Sequence, residues 1–281
     1  MEKVMATTNK NRKASVIMST YNAEEWLENV IWGLSVQTEV DFEIIIADDG
    51  SKSKTKELLD SLRTQISIPL IHVWQEDNGF QKSQILNKAI MASNSDYLIF
   101  TDGDCIPRKD FVATHLNYRE KGYFLSGGYF MLPMETSKAI LKEDIVSQKC
   151  FDVKWLMEHG LNKSFKNSKL TASGFLAKFL NFVTPTKATW NGHNASGWKE
   201  DLVYINGFNQ EMQYGGQDRE LGERLFNKGL KSKQIRYSAI VVHLDHARGY
   251  VNEATWKKNF AIRENTKKNK VVKTTIGIDS N

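Results

Sequence analysis

The fold is decided by residues 14–51, which read ASVIMSTYNAEEWLENVIWGLSVQTEVDFEIIIADDGS. Short β-branched runs predict strands over Ala14–Met18 and Phe42–Ala47, and the segment between them has the apolar spacing of a helix. Asn22 and Glu25, three residues apart, resemble the capping box that begins a helix. A strand, a helix and a second strand in this order predict a βαβ unit with parallel strands.

The same alternation continues to residue 104. We predict helices over Lys54–Arg63 and Ser83–Ala92, and strands over Leu70–Trp74 and Tyr97–Thr101. The predicted fold class is therefore α/β, with a mainly parallel sheet flanked by helices. Because ligands of such sheets bind beyond the carboxyl ends of the strands, the loops that follow the strands should converge on one edge.

The second half of the chain has a less regular pattern. The predicted elements are the strands Tyr123–Met131 and Ile240–His243 and the helices Ser137–Lys149, Lys199–Asn206 and Gln217–Asn227. Residues 160–189 are rich in Lys, Asn, Ser and Thr, and their apolar residues have no clean period. We interpret this stretch as a variable region and a candidate mobile lid.

Composition excludes several classes of protein. The chain has 281 residues, 41% of them hydrophobic and 25% charged, as in an ordinary globular protein. No apolar run approaches the roughly 18 residues of a membrane span, and no apolar stretch follows the basic N-terminus, so we expect no signal peptide. Two cysteines, Cys105 and Cys150, predict reduced thiols in a cytoplasmic protein. The absence of GxGxxG and GxxxxGK[ST] motifs argues against dinucleotide and P-loop sites.

The net charge of +5 is unevenly distributed. Between residues 257 and 273 lie seven basic residues and a single acid, Glu264. A helix there would place Trp256 and Phe260, four residues apart, on one face. Such a helix can dock on an anionic bilayer, or its two aromatic residues can pack on the rest of the protein while the lysines stay solvated; the sequence leaves both alternatives open.

Acidic side chains follow two of the predicted strands. Asp102 and Asp104, separated by Gly103, can hold a divalent ion, for which oxygen ligands favour Mg²⁺ or Mn²⁺. The alternative is a plain turn, in which Asp and Gly are common. Asp48 and Asp49 follow another strand and suit hydrogen bonding to a base or to sugar hydroxyls.

Two further candidates lie in the second half. Asp218 follows the pair Gly215–Gly216 at the start of a predicted helix, where an acid acts either as a general base or as a helix-dipole partner. His243 ends a predicted strand, with Asp245 and His246 close behind. It is either a metal ligand or a structural histidine.

Several segments carry a resemblance to a known family. In order, VIMSTYNAEEWL, IIIADDGS, DNGFQKSQILNKAI and YLIFTDGDCIPR resemble the nucleotide-sugar-binding half of the family 2 glycosyltransferases. The stretch WNGHNASGWKEDLVYINGFNQEMQYGGQDRELGERLFNKG resembles the C-terminal half shared by bacterial chondroitin polymerases and β-1,4-galactosyltransferases. The resemblance covers about residues 13–246 and implies a GT-A fold, with a Rossmann-like sheet and a DxD motif.

The resemblance also implies a division of the chain. Residues 13–133 would form the nucleotide-sugar-binding half of a GT-A domain, and residues 134–250 the acceptor-binding and catalytic half of the same domain. Residues 251–281 would form a basic C-terminal tail.

Site residues are implied in the same way. Asp218 would be the catalytic base, Asp104, His243 and Asp102 would hold Mn²⁺ or Mg²⁺, and Trp190 and His193 would bind the acceptor. The implied nucleotide-sugar-binding residues are Thr20, Tyr21, Asp48, Asp49, Gln81, Lys82, Asp102, Gly103, Asn191, Gly216 and Gln217.

The sequence departs from the family pattern at two places. Gln217 stands where the family usually has a glutamate that binds sugar hydroxyls, so we expect the amide to alter donor or acceptor preference. Leu86 stands where the family has an arginine, and Lys82 is the candidate to supply the missing charge at the pyrophosphate.

The implied reaction is inverting transfer of a hexose or N-acetylhexosamine from a UDP-sugar to a saccharide or lipid-linked saccharide, in cell-surface polysaccharide or lipopolysaccharide synthesis. The expected location is the cytoplasm, with peripheral contact at the inner face of the membrane as an open alternative and no nucleic-acid partner. Two other functions remain open. A sugar nucleotidyltransferase requires a Gly-rich, basic N-terminal phosphate loop, which VIMSTYNAEEW is not. A catalytically silent carbohydrate-binding protein requires the acidic motifs and His243 to be coincidental.

Overall fold

The computed structural model describes residues 12–246 and 253–280. Its strands are β1 (Ala14–Thr20), β2 (Phe42–Asp48), β3 (Leu70–Trp74), β4 (Tyr97–Asp102), β5 (Cys105–Pro107), β6 (Tyr123–Ser126), β7 (Gly128–Met131), β8 (Ala195–Trp198), β9 (Lys231–Gln234) and β10 (Ile240–His243). Its helices are α1 (Glu24–Ser35), α2 (Ser53–Arg63), α3 (Lys82–Ala92), α4 (Phe111–Tyr118), α5 (Met134–Ala139), α6 (Lys142–Val146), α7 (Val153–Glu158), α8 (Ser168–Thr171), α9 (Gly174–Val183), α10 (Lys199–Tyr204), α11 (Gln217–Asn227) and α12 (Glu253–Lys268).

The main sheet has seven strands in the order β3-β2-β1-β4-β8-β6-β9. The strands β1 to β4 pair in parallel, and β8 runs antiparallel between β4 and β6. A second sheet has the order β5-β10-β7, in which β10 is antiparallel to β5 and parallel to β7. The predicted α/β class with a mainly parallel sheet flanked by helices is confirmed.

Strand β2 has a nearly continuous apolar sequence because it is buried on both faces. Ile44 and Ile46 belong to the core on one face of the sheet, which is shared with α1 and α2. Ile45 and Ala47 belong to the core on the other face, which is shared with α3, α10 and α11. Because both faces of the sheet are covered, neighbouring residues of β2 that point to opposite faces are apolar alike.

The predicted single strand Tyr123–Met131 is wrong, because the chain changes sheets at Gly127. The residues before Gly127 form β6 in the main sheet, and those after it form β7 in the second sheet. A Cβ atom at Gly127 would lie 1.9 Å from Oδ1 of Asn194. The Asn194 amide fills that space, and its Nδ2 donates to the carbonyl of Gly128 at 2.8 Å.

Two predicted helix features are also corrected. Helix α1 begins at Glu24, and Asn22 does not cap it; its Oδ1 instead accepts from the backbone N–H of Lys52 at 3.0 Å, which ties two strand-end loops together. The helix predicted over residues 137–149 is two helices, α5 and α6. The chain is extended at Ile140 between them, and the Ile140 side chain is buried in the core.

Residues 160–189 contain α8, α9 and a short 3₁₀ turn at Phe165–Asn167. The lid suggested for this region stays a prediction. The two cysteines are free thiols and are buried. None of the helices within the described ranges is both long enough and apolar enough to cross a bilayer.

Helix α12 is docked on the rest of the protein through polar contacts. Asn259 is buried, and its Nδ2 donates to the backbone carbonyls of residues 213, 214 and 215 at 3.0, 3.2 and 2.8 Å. Trp256 lies against Gly215 but is 48% exposed, and Phe260 is 60% exposed. The two aromatic residues therefore do not form the buried face that the packing alternative requires.

A buried ion pair fixes α11 in place. Arg224 and Glu220 are almost fully buried, and Nε of Arg224 lies 2.9 Å from both carboxylate oxygens. The other guanidinium nitrogens donate to the carbonyls of Ile205 and Gly207, and Thr266 of α12 donates to Glu220 at 3.0 Å. Every charged group in this network is hydrogen-bonded, as a buried ion pair requires.

We expect Arg224→Met to lower the free energy of unfolding by about 3–5 kcal/mol, because it leaves the Glu220 carboxylate buried without its counter-charge. Equilibrium denaturation in urea measures this change. The matched control is Lys56→Met, which removes an exposed pair with Asp60 at the same i, i+4 spacing and should leave stability essentially unchanged. Equal effects of the two substitutions would contradict the role given to Arg224.

Candidate active site

The acidic motif of residues 102–104 lies at the carboxyl edge of the main sheet. Strand β4 pairs with β1 so that Asp102 is opposite Ser19, and the backbone N–H of Gly103 donates to the carbonyl of Ser19 at 3.1 Å. The chain then enters β5 at Cys105. Asp104 is thereby held at the junction of the two sheets.

The structure brings Asp104 together with His243 and His246. Their ligand atoms all lie within 4.8 Å of one another. Nε2 of His243 lies 3.7 Å from Oδ1 of Asp104, and Nε2 of His246 lies 2.9 Å from Oδ2. Strand pairing is the cause, because β10 runs antiparallel to β5 and places His243 opposite Cys105.

The donor chemistry of this cluster suits a cation. Nδ1 of His243 lies 2.8 Å from the carbonyl of Leu244, and since a carbonyl only accepts, Nδ1 carries the proton. In the neutral form of the ring the lone pair is therefore on Nε2, on the side of Asp104. Burial disfavours the Asp104 carboxylate, but the hydrogen bond from His246 and the attraction of His243 in its protonated form outweigh it and lower the pKa of Asp104.

Asp102 lies outside this cluster and is paired with Lys82. Nζ of Lys82 lies 2.7 Å from Oδ1 of Asp102, which also accepts from the Ser19 hydroxyl at 3.1 Å. Burial works against the Lys82 ammonium, yet the charges of Asp102 and Asp218 outweigh it and raise the pKa of Lys82. Lys82 is thus a permanent positive charge between two carboxylates.

Asp218 lies in the first turn of α11, against Gly192. Its side chain is partly exposed, but Oδ1 is buried and has no hydrogen-bond partner among the described residues. A Cβ atom at Gly192 would lie 2.8 Å from this oxygen, so only glycine leaves room for the carboxylate. Burial raises the pKa of Asp218 to about 6, while the charge of Lys82 and the nearby backbone N–H of Gly192 act in the opposite direction. The neighbouring acid Glu220 is committed to Arg224 and is not available as a base.

The loop before Asp218 is shaped by glycine and by Gln217. Gly216 has a φ of +86°, a conformation that favours glycine, and it precedes the first residue of α11. Gln217 is buried, and its Oε1 accepts from the backbone N–H of Gly215 at 2.9 Å. The side-chain oxygen of Gln217 therefore closes the turn.

The nucleotide-side candidates are arranged around Asp49. Its Oδ1 accepts from Nε2 of Gln75 at 2.6 Å and its Oδ2 from the backbone N–H of Gln81 at 2.8 Å. Burial raises the pKa of Asp49 despite these hydrogen bonds. Asp48 is more deeply placed: it is fully buried, and its Oδ2 lies 2.8 Å from Nε2 of His72.

Thr20 is the last residue of β1, and Tyr21 follows it directly. Both lie next to these acids. The Thr20 hydroxyl is buried without a partner among the described residues, whereas Tyr21 is 52% exposed. The Tyr21 hydroxyl donates to Asp77 at 2.9 Å. Thr20 thus presents a polar atom whose partner is missing, which is a mark of a ligand site.

The acceptor-side candidates have different environments. Trp190 is fully buried between Phe100 and Phe124, so its ring supports the core and cannot stack on an acceptor in this conformation. The ring of His193 packs against Tyr129 with centroids 4.6 Å apart, and burial lowers its pKa to about 4.

The side chain of Asn191 is hydrogen-bonded within its own loop and to β6. Its Oδ1 accepts from the backbone N–H of Asn194 at 2.7 Å, and its Nδ2 donates to Ser126 at 3.0 Å. These bonds fix the backbone at Gly192, the residue against which the Asp218 carboxylate packs. The structure therefore gives Asn191 a positioning role in the same site.

Two residues join the site that sequence reasoning did not assign to it. His246 completes the cluster with Asp104 and His243. The one sequence feature that pointed to it was its position three residues after His243. Tyr129, on β7, packs against the rings of both His193 and His243. Nothing in the local sequence marks Tyr129, because its role depends on the parallel pairing of β7 with β10.

Three of the curated relatives that extend over most of this chain illustrate the similarity. A glycosyltransferase of Bacillus subtilis (strain 168), YfnE, described as uncharacterized, is 27% identical over 268 residues, which is 83% of this chain and 65% of that protein. Chondroitin synthases of Pasteurella multocida (strain Pm70) and Escherichia coli are 26% and 24% identical over 91% and 79% of this chain. The matches span only 26% and 33% of those two synthases, so this chain covers less than two thirds of each of these relatives.

Solved structures show the same fold. The mannosyltransferase PcManGT from Pyrobaculum calidifontis, solved in complex with GDP-Man and Mn²⁺, superimposes with a TM-score of 0.55 at 16% identity, over 86% of this chain and 59% of that one. TarS of S. aureus gives a TM-score of 0.50 at 15% identity, over 84% of this chain and 36% of that one. These neighbours and the mixed, mainly parallel sheet identify the fold as GT-A.

The family assignment rests on the sequence. Residues 15–169 match the model for Glycosyl transferase family 2, which is more than half of the 281 residues. The resemblance of the later segment to chondroitin polymerases is confirmed by the two synthases. The chain therefore belongs to glycosyl transferase family 2.

Proposed function

We propose that this chain transfers a hexose or N-acetylhexosamine from a UDP-sugar to a saccharide acceptor, with inversion at the anomeric carbon. The observation that carries the proposal is the Asp218 carboxylate, which has a buried, unpartnered oxygen and a raised pKa. The charge of Lys82 interacts with Asp218 as well as with Asp102 and Asp104. The candidate base therefore lies near the acidic motif. A single displacement needs this pairing of a base with a site that stabilises the leaving group.

Asp218 acts in this proposal as the general base. An acceptor hydroxyl bound beside Gly192 would donate to Oδ1, and the carboxylate would take its proton as the oxygen attacks the anomeric carbon. A carboxylate with a pKa near 6 is mostly ionised at neutral pH and is a better base than an ordinary aspartate. Gln217 and Asn191 hold the two loops that meet at this carboxylate.

The divalent ion would be held by Asp104, His243 and His246. The ionised carboxylate and the Nε2 lone pair of His243 fit this role, and two imidazole nitrogens favour Mn²⁺ over Mg²⁺. When bound, such an ion supplies positive charge for the diphosphate of the leaving nucleotide. The mannosyltransferase neighbour was solved with GDP-Man and Mn²⁺, which supports a nucleotide-sugar donor and this choice of ion.

The donor nucleotide is assigned to the edge formed by β1, β2 and β4. Thr20 offers a free hydroxyl, Tyr21 an exposed ring, and Asp49 a carboxylate that the loop before α3 orients. We assign residues 13–133 to this donor-binding half and residues 134–250, of which 247–250 lie outside the described residues, to the catalytic, acceptor-binding half. The chondroitin synthase relatives support polysaccharide synthesis as the setting.

The metal proposal predicts specific losses. Asp104→Ala should abolish UDP release, since it removes the anionic ligand, and His243→Ala and His246→Ala should each weaken Mn²⁺ binding at least about tenfold. Isothermal titration with Mn²⁺ and a UDP-release assay measure the two effects. Asp245→Ala, beside His246 but outside the cluster, is the control and should bind Mn²⁺ normally. Full activity in excess EDTA would overturn the assignment.

The base proposal predicts a defect in turnover without a defect in donor binding. Asp218→Asn keeps the size of the side chain but cannot accept a proton, so kcat should fall by about 10²–10⁴-fold. The dissociation constant of the UDP-sugar should be almost unchanged. Glu211→Gln, an exposed acid seven residues earlier, is the control and should retain normal turnover. Near-normal turnover by Asp218→Asn would move the base elsewhere.

The pH dependence of kcat follows from the raised pKa of Asp218. Only the ionised form is a base, so kcat should fall as the pH drops through about 6. Lys82 lowers this pKa, and Lys82→Met should therefore move the acidic limb of the profile to higher pH. Lys88→Met, on the same helix, should leave the limb in place. A limb that does not move in Lys82→Met would contradict the electrostatic link between Lys82 and Asp218.

A further inference from the structure

Helix α9 presents its apolar residues to solvent. Phe175, Phe179 and Phe182 are 84%, 50% and 89% exposed, and their spacing of four and three residues places them on one face. Leu176 and Val183, 54% and 46% exposed, widen this face. A surface helix of a globular protein normally turns such a stripe toward the core. In α9 the pattern is inverted.

The buried side of α9 explains why the helix does not rotate inward. It contains only Ala177 and Asn181. Nδ2 of Asn181 donates to the Ser238 hydroxyl at 2.8 Å, and its Oδ1 accepts from the backbone N–H of Tyr237 at 2.9 Å. Its carbonyl accepts from Gln234 at 2.6 Å. Rotating the phenylalanines inward would break all three bonds, so the outward orientation is fixed.

The sequence around α9 carries charge of one sign. Residues 159–189 contain no Asp or Glu, and their lysines include Lys163, Lys166, Lys169 and Lys178. Phe165, between two of these lysines, is 86% exposed. Exposed aromatic rings with lysines and without acids are typical of segments that lie in the interface of an anionic bilayer.

We propose that α9 and its flanking lysines form a docking surface for an anionic phospholipid bilayer. The phenylalanine face would enter the boundary between headgroups and acyl chains, and the lysines would contact the lipid phosphates. A helix of ten residues is too short to span a bilayer, so the contact is peripheral. The surface is defined without reference to the transfer reaction, and it can be tested without substrate.

This assignment differs from the membrane-docking alternative that the sequence raises, which lies on α12. The exposed aromatics of α12 are Trp256 and Phe260, and the helix carries Glu253 and Glu264 among its lysines. Its buried Asn259 attaches it to the protein. Between the two helices, α9 has the larger exposed apolar face, and the sequence that flanks it contains no acid.

The docking surface lies close to the acceptor side of the candidate active site. Nζ of Lys169, in α8, lies 5.9 Å from the centre of the Tyr129 ring. Tyr129 in turn packs against His193 and His243. A bilayer on the α9 face would therefore bring membrane-displayed acceptors near the site, a consequence that rests on the proposed function.

The test uses the whole protein and vesicles of equal parts phosphatidylglycerol and phosphatidylcholine. Phe175→Ser with Phe182→Ser should lower the partition coefficient in co-sedimentation at least about tenfold, because the two most exposed rings are lost. Lys163→Gln with Lys166→Gln and Lys178→Gln should give a similar loss, and wild-type binding should weaken in high salt. Circular dichroism and thermal unfolding should show all variants folded.

The matched controls are on α12. Phe260→Ser, and Lys257→Gln with Lys258→Gln, make the same chemical changes there and should leave vesicle binding unchanged. Losses confined to the α12 variants would overturn the assignment to α9. Wild-type binding that is equal with and without phosphatidylglycerol would also overturn it.

A second readout locates the contact. Both native cysteines are buried, so Phe182→Cys can be labelled selectively with a polarity-sensitive dye. Its emission should shift to the blue with anionic vesicles and not with phosphatidylcholine alone, while a label at Phe260→Cys should not respond. An unresponsive label on α9, or a dimer in sedimentation equilibrium that the Phe175→Ser, Phe182→Ser variant dissociates while vesicle binding persists, would assign the face to another occupant.

Discussion

The candidate site depends on the antiparallel pairing of β10 with β5. This pairing sets His243 opposite Cys105, one residue after Asp104, although the two parts of the chain are far apart in sequence. The parallel pairing of β10 with β7 places Tyr129 beside the same histidine. A shift of one residue in the register of β10 would turn His243 to the opposite face and dissolve the cluster. The pairing within the small second sheet therefore brings the candidate metal ligands together.

The second constraint is the burial of charge around Asp218. A carboxylate against the backbone of Gly192 is costly to ionise, and Lys82 reduces that cost without forming an ion pair with it. Lys82 is held by Asp102, so the charge of one lysine acts on both Asp102 and the candidate base. In contrast, Glu220 on the same helix is neutralised by Arg224 and is structural. Two acids two residues apart thus have different environments because their neighbours differ.

The sequence predicts those features that local patterns determine. Strands such as Leu70–Trp74 and helices such as Gln217–Asn227 carry their own periodicity, and Asp104 and Asp218 stand in recognisable motifs. Features that depend on distant partners were missed. The break at Gly127 requires Asn194 to fill the space, the burial of Trp190 requires aromatic neighbours from two strands, and the outward face of α9 requires Asn181 to bond three residues that come about fifty positions later. No local period contains this information.

The contacts of residues 253–280 have a consequence for the order of folding during synthesis. Asn259 binds the carbonyls of the loop before Asp218, and Ile278 completes the core that α11 shares with the main sheet. The strands and helices of the first hundred residues leave the ribosome long before this segment and can form their sheet without it. The loop that positions the carboxylate, however, acquires its last supports only when α12 has emerged. A nascent chain would therefore pass through a stage in which the sheet edge formed by β1, β2 and β4 is complete and the loop before Asp218 is not yet held in place.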